Sequence, residues 1–357
     1  MADPRPEAGD LDADAKDLQE EWSPAHTQWQ EIDKFTSGQY ELWDNPLDKA
    51  TRPTKRSNLG RILLDRVSDN LLPYAPAFDR DAVGDAEGSD TNADAVEQFA
   101  DAAWENSSMK EMALPSKVAG RYMVKYGYAA FEARFDATEL PEEPEKGDPN
   151  YDALMRAYEE RNWNFNPFSV RAPHPTTVLL PPNERIPSRA VVYERWRKDA
   201  LAAYLEKKRG QDGVVVAEEF EYAGRGRDLV MVRRSYSRDW HTMQVSEGAR
   251  SDGGEIYLQE ENRDLLVPFR HAYAGFGDIP SGEDGLNPEN QAQGMLWPLL
   301  QSIILNDQIL SAEAELYMKA AFAIMATPGS AEAVAQTMAQ GGNIMGGVDV
   351  RTMGFIP

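Results

Sequence analysis

Cysteine is absent from the 357-residue sequence. This absence excludes disulfide bridges, thiolate zinc sites and cysteine nucleophiles. Histidine is also scarce: the four residues lie far apart, and no HExxH pair occurs. The sequence has neither a Gly-rich phosphate loop ending in Lys-Ser/Thr nor a GxSxG elbow. We therefore expect a protein that is not an enzyme and that has no cofactor and no catalytic residues.

The sequence is also poor in positively charged residues. Lysine and arginine number 37 against 60 acidic residues, which gives a formal net charge of −23. A surface this acidic does not attract nucleic acid or an anionic membrane by bulk charge. No run of about 20 uninterrupted apolar residues occurs, and residues 1–22 lack the basic start and apolar stretch of a secretory leader. We expect no membrane span.

Two acidic segments lack large apolar residues. Residues 1–21 have the composition of a flexible arm. Residues 79–94 partly match a calcium-binding loop, and the candidate ligands are Asp79, Asp81, Asp85 and Asp90. Val83 stands where such a loop needs a side-chain oxygen, so the pattern favours a solvated acidic loop over a metal site.

Hydrophobic periodicity predicts an α+β fold. Apolar residues recur at helical spacing in several segments, which are 59–72, 93–106, 115–126, 151–161 and 198–208. Residues 128–136 alternate as a strand. From about residue 164, short β-branched and aromatic runs between turn residues predict an antiparallel meander.

Four arginines form a small basic cluster in the sequence, namely Arg225, Arg227, Arg233 and Arg234. Such a cluster can contact phosphate or an acidic neighbouring subunit. The pattern favours the other interpretation, in which the arginines form salt bridges at strand ends.

The segment from Gly294 to Gly329 predicts a long helix that is apolar on most sides and is interrupted by Asn306-Asp307-Gln308. One interpretation is a core helix buried in a monomer. The other is a helix flanked by identical copies of itself, because such a helix needs two apolar faces. The candidate packing residues are Leu299, Ile303, Ile304, Leu310, Ala320, Ala321 and Phe322.

The order of these segments resembles that of portal proteins of tailed viruses. The landmarks are WQEIDKFTSGQYELW, SNLGRILLDRVSDNLL, FADAAWENSSM, YGYAAFEARFD, LLVPFRHAYAGFG and WPLLQSIILNDQILSAEAELYMKAAFAIMATPG. The resemblance covers roughly residues 22–329, and the order and spacing of the landmarks carry it rather than any single motif.

The resemblance implies a portal-like fold with four parts. Residues 1–21 precede a wing domain over 22–285, in which helices are followed by a β-rich part. Residues 286–328 correspond to the stem helix, and residues 329–357 to the start of the clip, whose remainder we expect to lie outside this sequence. Channel-lining residues are not identified.

The resemblance also implies a function in capsid assembly and genome packaging. A portal is a dodecameric ring at one vertex of the virion, made in the host cytoplasm, and it serves as the head–tail connector. Double-stranded DNA passes through it non-specifically during packaging and ejection. The implied partners are further copies of the chain, the major capsid protein, the large terminase subunit and the head–tail adaptor.

Two alternatives remain open. The chain could be another structural protein of the virion or its neck, which would assemble with a different symmetry. It could also be an acidic metal-dependent enzyme that uses the loop at residues 79–94.

Overall fold

The structure is a computed structural model. It describes residues 4–43, 52, 54–71, 89–110, 113–135, 144, 150–163, 168–217, 228–246, 254–263, 265–274, 287–326, 348–349 and 354–355. These residues form helices and antiparallel strands, which confirms the α+β class.

The helices are α1 (Ala8–Thr36), α2 (Leu59–Leu71), α3 (Ser89–Lys110), α4 (Pro115–Tyr126), α5 (Tyr151–Trp163), α6 (Lys198–Lys208), α7 (Pro288–Gln291) and α8 (Leu300–Ala326). A 3₁₀ turn spans Pro175–Thr177. The five helices predicted between residues 59 and 208 are all present, with ends shifted by at most a few residues.

The strands are β1 (Tyr128–Phe135), β2 (Phe168–Arg171), β3 (Val178–Leu179), β4 (Ala190–Arg197), β5 (Val214–Val216), β6 (Leu229–Tyr236), β7 (Trp240–Ser246), β8 (Glu255–Glu261), β9 (Phe269–Tyr273), β10 (Val348–Asp349) and β11 (Gly354–Phe355). They form a three-stranded sheet β2-β1-β9, a six-stranded sheet β3-β4-β6-β7-β8-β5 and the β10-β11 pair. All pairings of the described strands are antiparallel. The predicted meander is present in part: β6, β7 and β8 are successive neighbours, whereas β5 lies at the sheet edge beside β8 and β9 pairs with β1.

The chain divides into two compact units. The first unit comprises Met1–Trp29 and Arg66–Met295, and the second comprises Gln30–Asp65 and Leu296–Pro357. These units do not follow the predicted boundaries at residues 22, 286 and 329, because residues 30–65 cluster with the long helix rather than with the sheets. Helix α8 also begins at Leu300, since residues 287–299 form α7 and turns.

The first unit has an aromatic core. Trp22 and Trp29 of α1 are buried against Tyr128 of β1, with ring centroids 4.7 Å and 5.8 Å away. Their indole N–H groups donate to backbone carbonyls of Leu180 at 2.7 Å and Tyr126 at 2.9 Å. A buried tryptophan usually pairs this N–H, and these two hydrogen bonds hold both rings in position.

The prediction of a flexible arm over residues 1–21 is wrong. Residues 8–21 form the first turns of α1, and Leu11, Ala15 and Leu18 are buried together with Trp22. These residues are spaced by four, three and four positions, which is a narrow stripe on one side of a helix. Two of the intervening acids form ion pairs within the first unit, Asp12 with Arg233 of β6 and Asp14 with Arg189, which precedes β4.

Candidate functional site

Helix α8 has one face buried in the chain. Its most buried positions are Ile303, Asp307, Ser311 and Ala314, which recur every three or four residues. This spacing places them on a single stripe along the helix.

The opposite face of α8 is apolar and exposed. Leu305 is 57% exposed, Ile309 53% and Leu316 67%. The three residues are spaced by four and seven positions, so they align on one side of the helix, roughly opposite the buried stripe. Helix α8 thus has a buried stripe of mixed polarity and, on the opposite side, an apolar face that stays exposed among the described residues.

The polar interruption of α8 holds a distant segment of the second unit. The buried Asp307 carboxylate accepts a hydrogen bond from the backbone N–H of Ser57 at 3.1 Å and another from the Tyr40 hydroxyl. Burial and the hydrogen bond to Asp307 raise the pKa of Tyr40, so its hydroxyl stays protonated and remains a donor.

Two neighbours of Asp307 extend this contact. The Ser311 hydroxyl accepts from the backbone N–H of Lys55 at 2.9 Å, and the Gln308 amide donates to the Leu42 carbonyl at 2.7 Å. Polar residues on and beside the buried stripe of α8 therefore satisfy backbone groups of Leu42, Lys55 and Ser57. The sequence analysis missed this role, although a carboxylate at a position that continues an apolar stripe was a usable signal.

The predicted packing residues have different environments. Ile303 is buried, Ile304 and Leu310 are half-buried, and Leu299 is exposed. Ala320, Ala321 and Phe322 lie in α8, but their side chains are outside the described part of the structure. The exposed apolar face of α8 is formed by Leu305, Ile309 and Leu316, and none of these three residues was among the predicted packing residues.

The candidate calcium ligands are not tested by the structure. Asp79, Asp81 and Asp85 lie outside the described residues, and Asp90 has a helical backbone in the first turn of α3. Among the side chains that the structure describes, no group of three or more His, Asp or Glu residues is placed to hold a metal ion.

The four histidines serve different local structures. His174 caps the 3₁₀ turn by accepting from the Thr176 N–H at 3.3 Å, and His271 Nε2 lies 2.7 Å from a backbone carbonyl. His241 stacks on a tyrosine of β6 at 4.4 Å. His26 packs between two tryptophans of α1, where burial and the charge of His174 lower its pKa to about 4. At neutral pH the His26 ring is thus uncharged.

A buried ionic network joins the two larger sheets of the first unit. The Arg–Glu network comprises two carboxylates and three guanidinium groups, from Glu132, Glu194, Arg134, Arg171 and Arg234. Arg234 Nη2 of β6 lies 2.8 Å from Glu132 Oε1 and 3.0 Å from Glu194 Oε1. Arg134 Nη2 of β1 donates to Glu194 Oε1 at 2.7 Å, and Arg171 of β2 contacts both carboxylates.

The arginines keep both carboxylates ionised. Burial alone would raise the pKa of Glu194, but the charges of Arg234, Arg134 and Arg171 outweigh burial and lower it to about 2. The same groups lower the pKa of Glu132. Carboxylates this acidic are weak proton acceptors, so the network suits structural linkage better than general base chemistry.

The structure describes two of the four arginines in the basic cluster that the sequence predicted. Arg233 and Arg234 are buried neighbours on β6 and both form ion pairs, the first with Asp12 and the second within the Arg–Glu network. This agrees with the salt-bridge interpretation for these two residues. Arg225 and Arg227 lie outside the described residues.

None of the helices in the described ranges has the length and apolar content of a membrane-spanning segment. No protein-family model matches the sequence. A search of curated proteins likewise gives no significant match.

Proposed function

We propose that this chain is a portal subunit, which assembles with copies of itself into a ring at the capsid vertex of a tailed virus. The observation that carries the proposal is the exposed apolar face of α8, formed by Leu305, Ile309 and Leu316. A helix that contacts a neighbouring copy in a ring needs an apolar surface beyond the side that packs within its own chain. The order of the sequence landmarks supports the same assignment.

Burial of this face gives a driving force for assembly. Fully burying a leucine or isoleucine side chain contributes about 1.5–3 kcal/mol. The three exposed residues of α8 therefore supply several kcal/mol at each contact between copies. In the proposed ring, α8 is the stem helix and the sheets of the first unit belong to the wing.

The net charge fits a DNA channel. Each copy carries −23, and a wall that neutralises few phosphates releases few counterions and binds DNA weakly. Double-stranded DNA would therefore slide past the subunits during packaging and ejection. The proposed partners are the major capsid protein, the large terminase subunit and the head–tail adaptor.

The test combines native mass spectrometry with negative-stain images of the purified protein. We expect closed rings of about twelve subunits with an axial hole. Tubes or shells would instead favour another virion assembly protein. A monomer at all concentrations would contradict the proposal.

A matched pair of substitutions tests the face itself. Ile309 and Ile186 are both exposed isoleucines, at 53% and 61%, but Ile186 lies in a turn of the first unit. We expect Ile309→Glu to prevent ring assembly, whereas Ile186→Glu should assemble as the wild type does. Normal assembly of Ile309→Glu would show that α8 does not pack between copies through this face.

A further inference from the structure

A pocket of about 340 Å³ opens in the first unit beside the Arg–Glu network. Its walls include three arginines, Arg134, Arg171 and Arg195, and a single carboxylate, Glu194. These four groups give an excess of two positive charges in a chain whose net charge is −23. The pocket walls are therefore locally positive on an acidic protein.

Two of the arginines are held in position before any ligand arrives. Arg134 and Arg171 each contact both carboxylates of the network, and their side chains stay 29% and 18% exposed. A guanidinium group has five N–H donors, and the carboxylates engage only some of them. Since the side chains are already ordered, little conformational entropy is lost when an oxyanion binds.

Arg195 is the third arginine of the pocket wall. It is exposed on β4, and it forms no ion pair with any residue that the structure describes. In this respect Arg195 differs from Arg134 and Arg171, whose positive charges are partly neutralised by Glu132 and Glu194.

Strand β4 also presents an open edge at the pocket. Strand β3 pairs only with Val191 and Val192, while β6 pairs with β4 as far as Arg197. Residues 193–197 thus have no strand partner on the β3 side within the described ranges. Alternate N–H groups of such an edge point away from the sheet and can donate to a ligand.

We propose that this pocket binds a phosphate monoester. A phosphate monoester carries close to two negative charges at neutral pH, which matches the excess on the walls. Arginine forks recognise its oxygens through paired hydrogen bonds. The volume lies at the lower end of the range for small-molecule sites, and Tyr193 and Trp196 line the pocket as a surface for the organic part of the ligand. This site is independent of the proposed ring.

The test is calorimetric titration of the full chain at pH 7.5 and constant ionic strength. The probes are inorganic phosphate, ribose 5-phosphate and deoxyadenosine monophosphate, with acetate as the control anion. We expect saturable binding of one phosphate group per chain and no binding of acetate. Equal affinities would show that the phosphate alone is recognised, and tighter nucleotide binding would show that the base also contacts the pocket; both outcomes support the site.

Arg195→Gln tests the location of the site without disturbing the Arg–Glu network. We expect it to weaken phosphate binding about tenfold or more. Arg197→Gln is the matched control, because Arg197 lies on the same strand, is exposed and does not line the pocket. This control should bind as the wild type does. Absence of saturable binding for all three probes would overturn the proposal, and so would equal affinity in the wild type and Arg195→Gln.

Discussion

At the scale of single residues, Asp307 has an environment that is unusual for a carboxylate. It is fully buried, and it forms no ion pair with a described residue. Its oxygens instead accept hydrogen bonds from the Ser57 N–H and the Tyr40 hydroxyl. Burying a polar group is unfavourable unless hydrogen bonds satisfy it, so these two contacts fix both the Asp307 side chain and the segment that supplies the donors.

We predict that Asp307→Ala lowers the free energy of unfolding by about 1–3 kcal/mol, because the two donors lose their acceptor. Urea denaturation followed by circular dichroism measures this change. Glu313→Ala is the matched control on the exposed surface of the same helix. It should stay within about 0.5 kcal/mol of the wild type. Similar losses for both variants would contradict the role assigned to Asp307.

The sequence indicated that residues 306–308 interrupt an apolar helix, but it could not indicate why. The reason depends on the backbone of Ser57, which precedes Asp307 by 250 positions. Periodicity reports which face of a helix is buried and not which segment covers it. The Asp307 contact therefore became visible only in the folded chain.

At the scale of elements, helix α4 was predicted correctly because its ends carry local signals. Pro115 stands in its first turn, and Gly127 after its end has a φ of 72°, a left-handed conformation that favours glycine. The start of α1 has no comparable signal. Its composition is that of a solvated segment, and its apolar stripe is narrow and includes alanine, so composition outweighed periodicity in the prediction.

The Arg–Glu network could not be predicted either, since its members come from four strands of two sheets. Strands β1 and β2 supply Glu132, Arg134 and Arg171, whereas β4 and β6 supply Glu194 and Arg234. Charged residues are so frequent in this sequence that pairing by spacing alone is uninformative. The network links the two sheets because each sheet supplies both a carboxylate and a guanidinium group. Removing one member would leave the charges of the others buried without compensation and would lower the stability of the fold.

We predict that Glu194→Gln lowers stability by about 3 kcal/mol at pH 7, since three guanidinium groups lose an opposite charge. The folded pKa of Glu194 is about 2, below the unfolded value of about 4.3. Its contribution is thus fully present above about pH 4.3 and is lost as the pH falls towards 2. The gap between wild type and variant should narrow over that range.

Urea midpoints between pH 7 and pH 2.5 measure this gap. Glu206→Gln is the control, since this glutamate pairs with Arg209 on the exposed surface of α6. We expect only a small effect from that substitution. A gap that stays constant from pH 5 to pH 2.5 would contradict the proposed ionic role of Glu194.

At the scale of the whole molecule, two opposing forces act on association. Each copy carries −23, so copies repel one another, and the repulsion grows with every subunit added to an oligomer. The exposed face of α8 attracts copies by apolar burial, which does not require opposite charges. Ionic strength separates the two forces, because salt screens repulsion between exposed charges and leaves apolar contacts intact.

We therefore predict that self-association strengthens as sodium chloride rises from about 0.01 M to about 0.3 M. The screening length is about 30 Å at 0.01 M and about 10 Å at 0.1 M, so repulsion between neighbouring copies falls over this range. Sedimentation velocity at fixed protein concentration should show a growing oligomer fraction. Ile309→Glu should remain dissociated throughout, because it removes the attraction rather than the repulsion. If salt instead dissociates the wild-type oligomer, ion pairs rather than the apolar face of α8 hold the copies together.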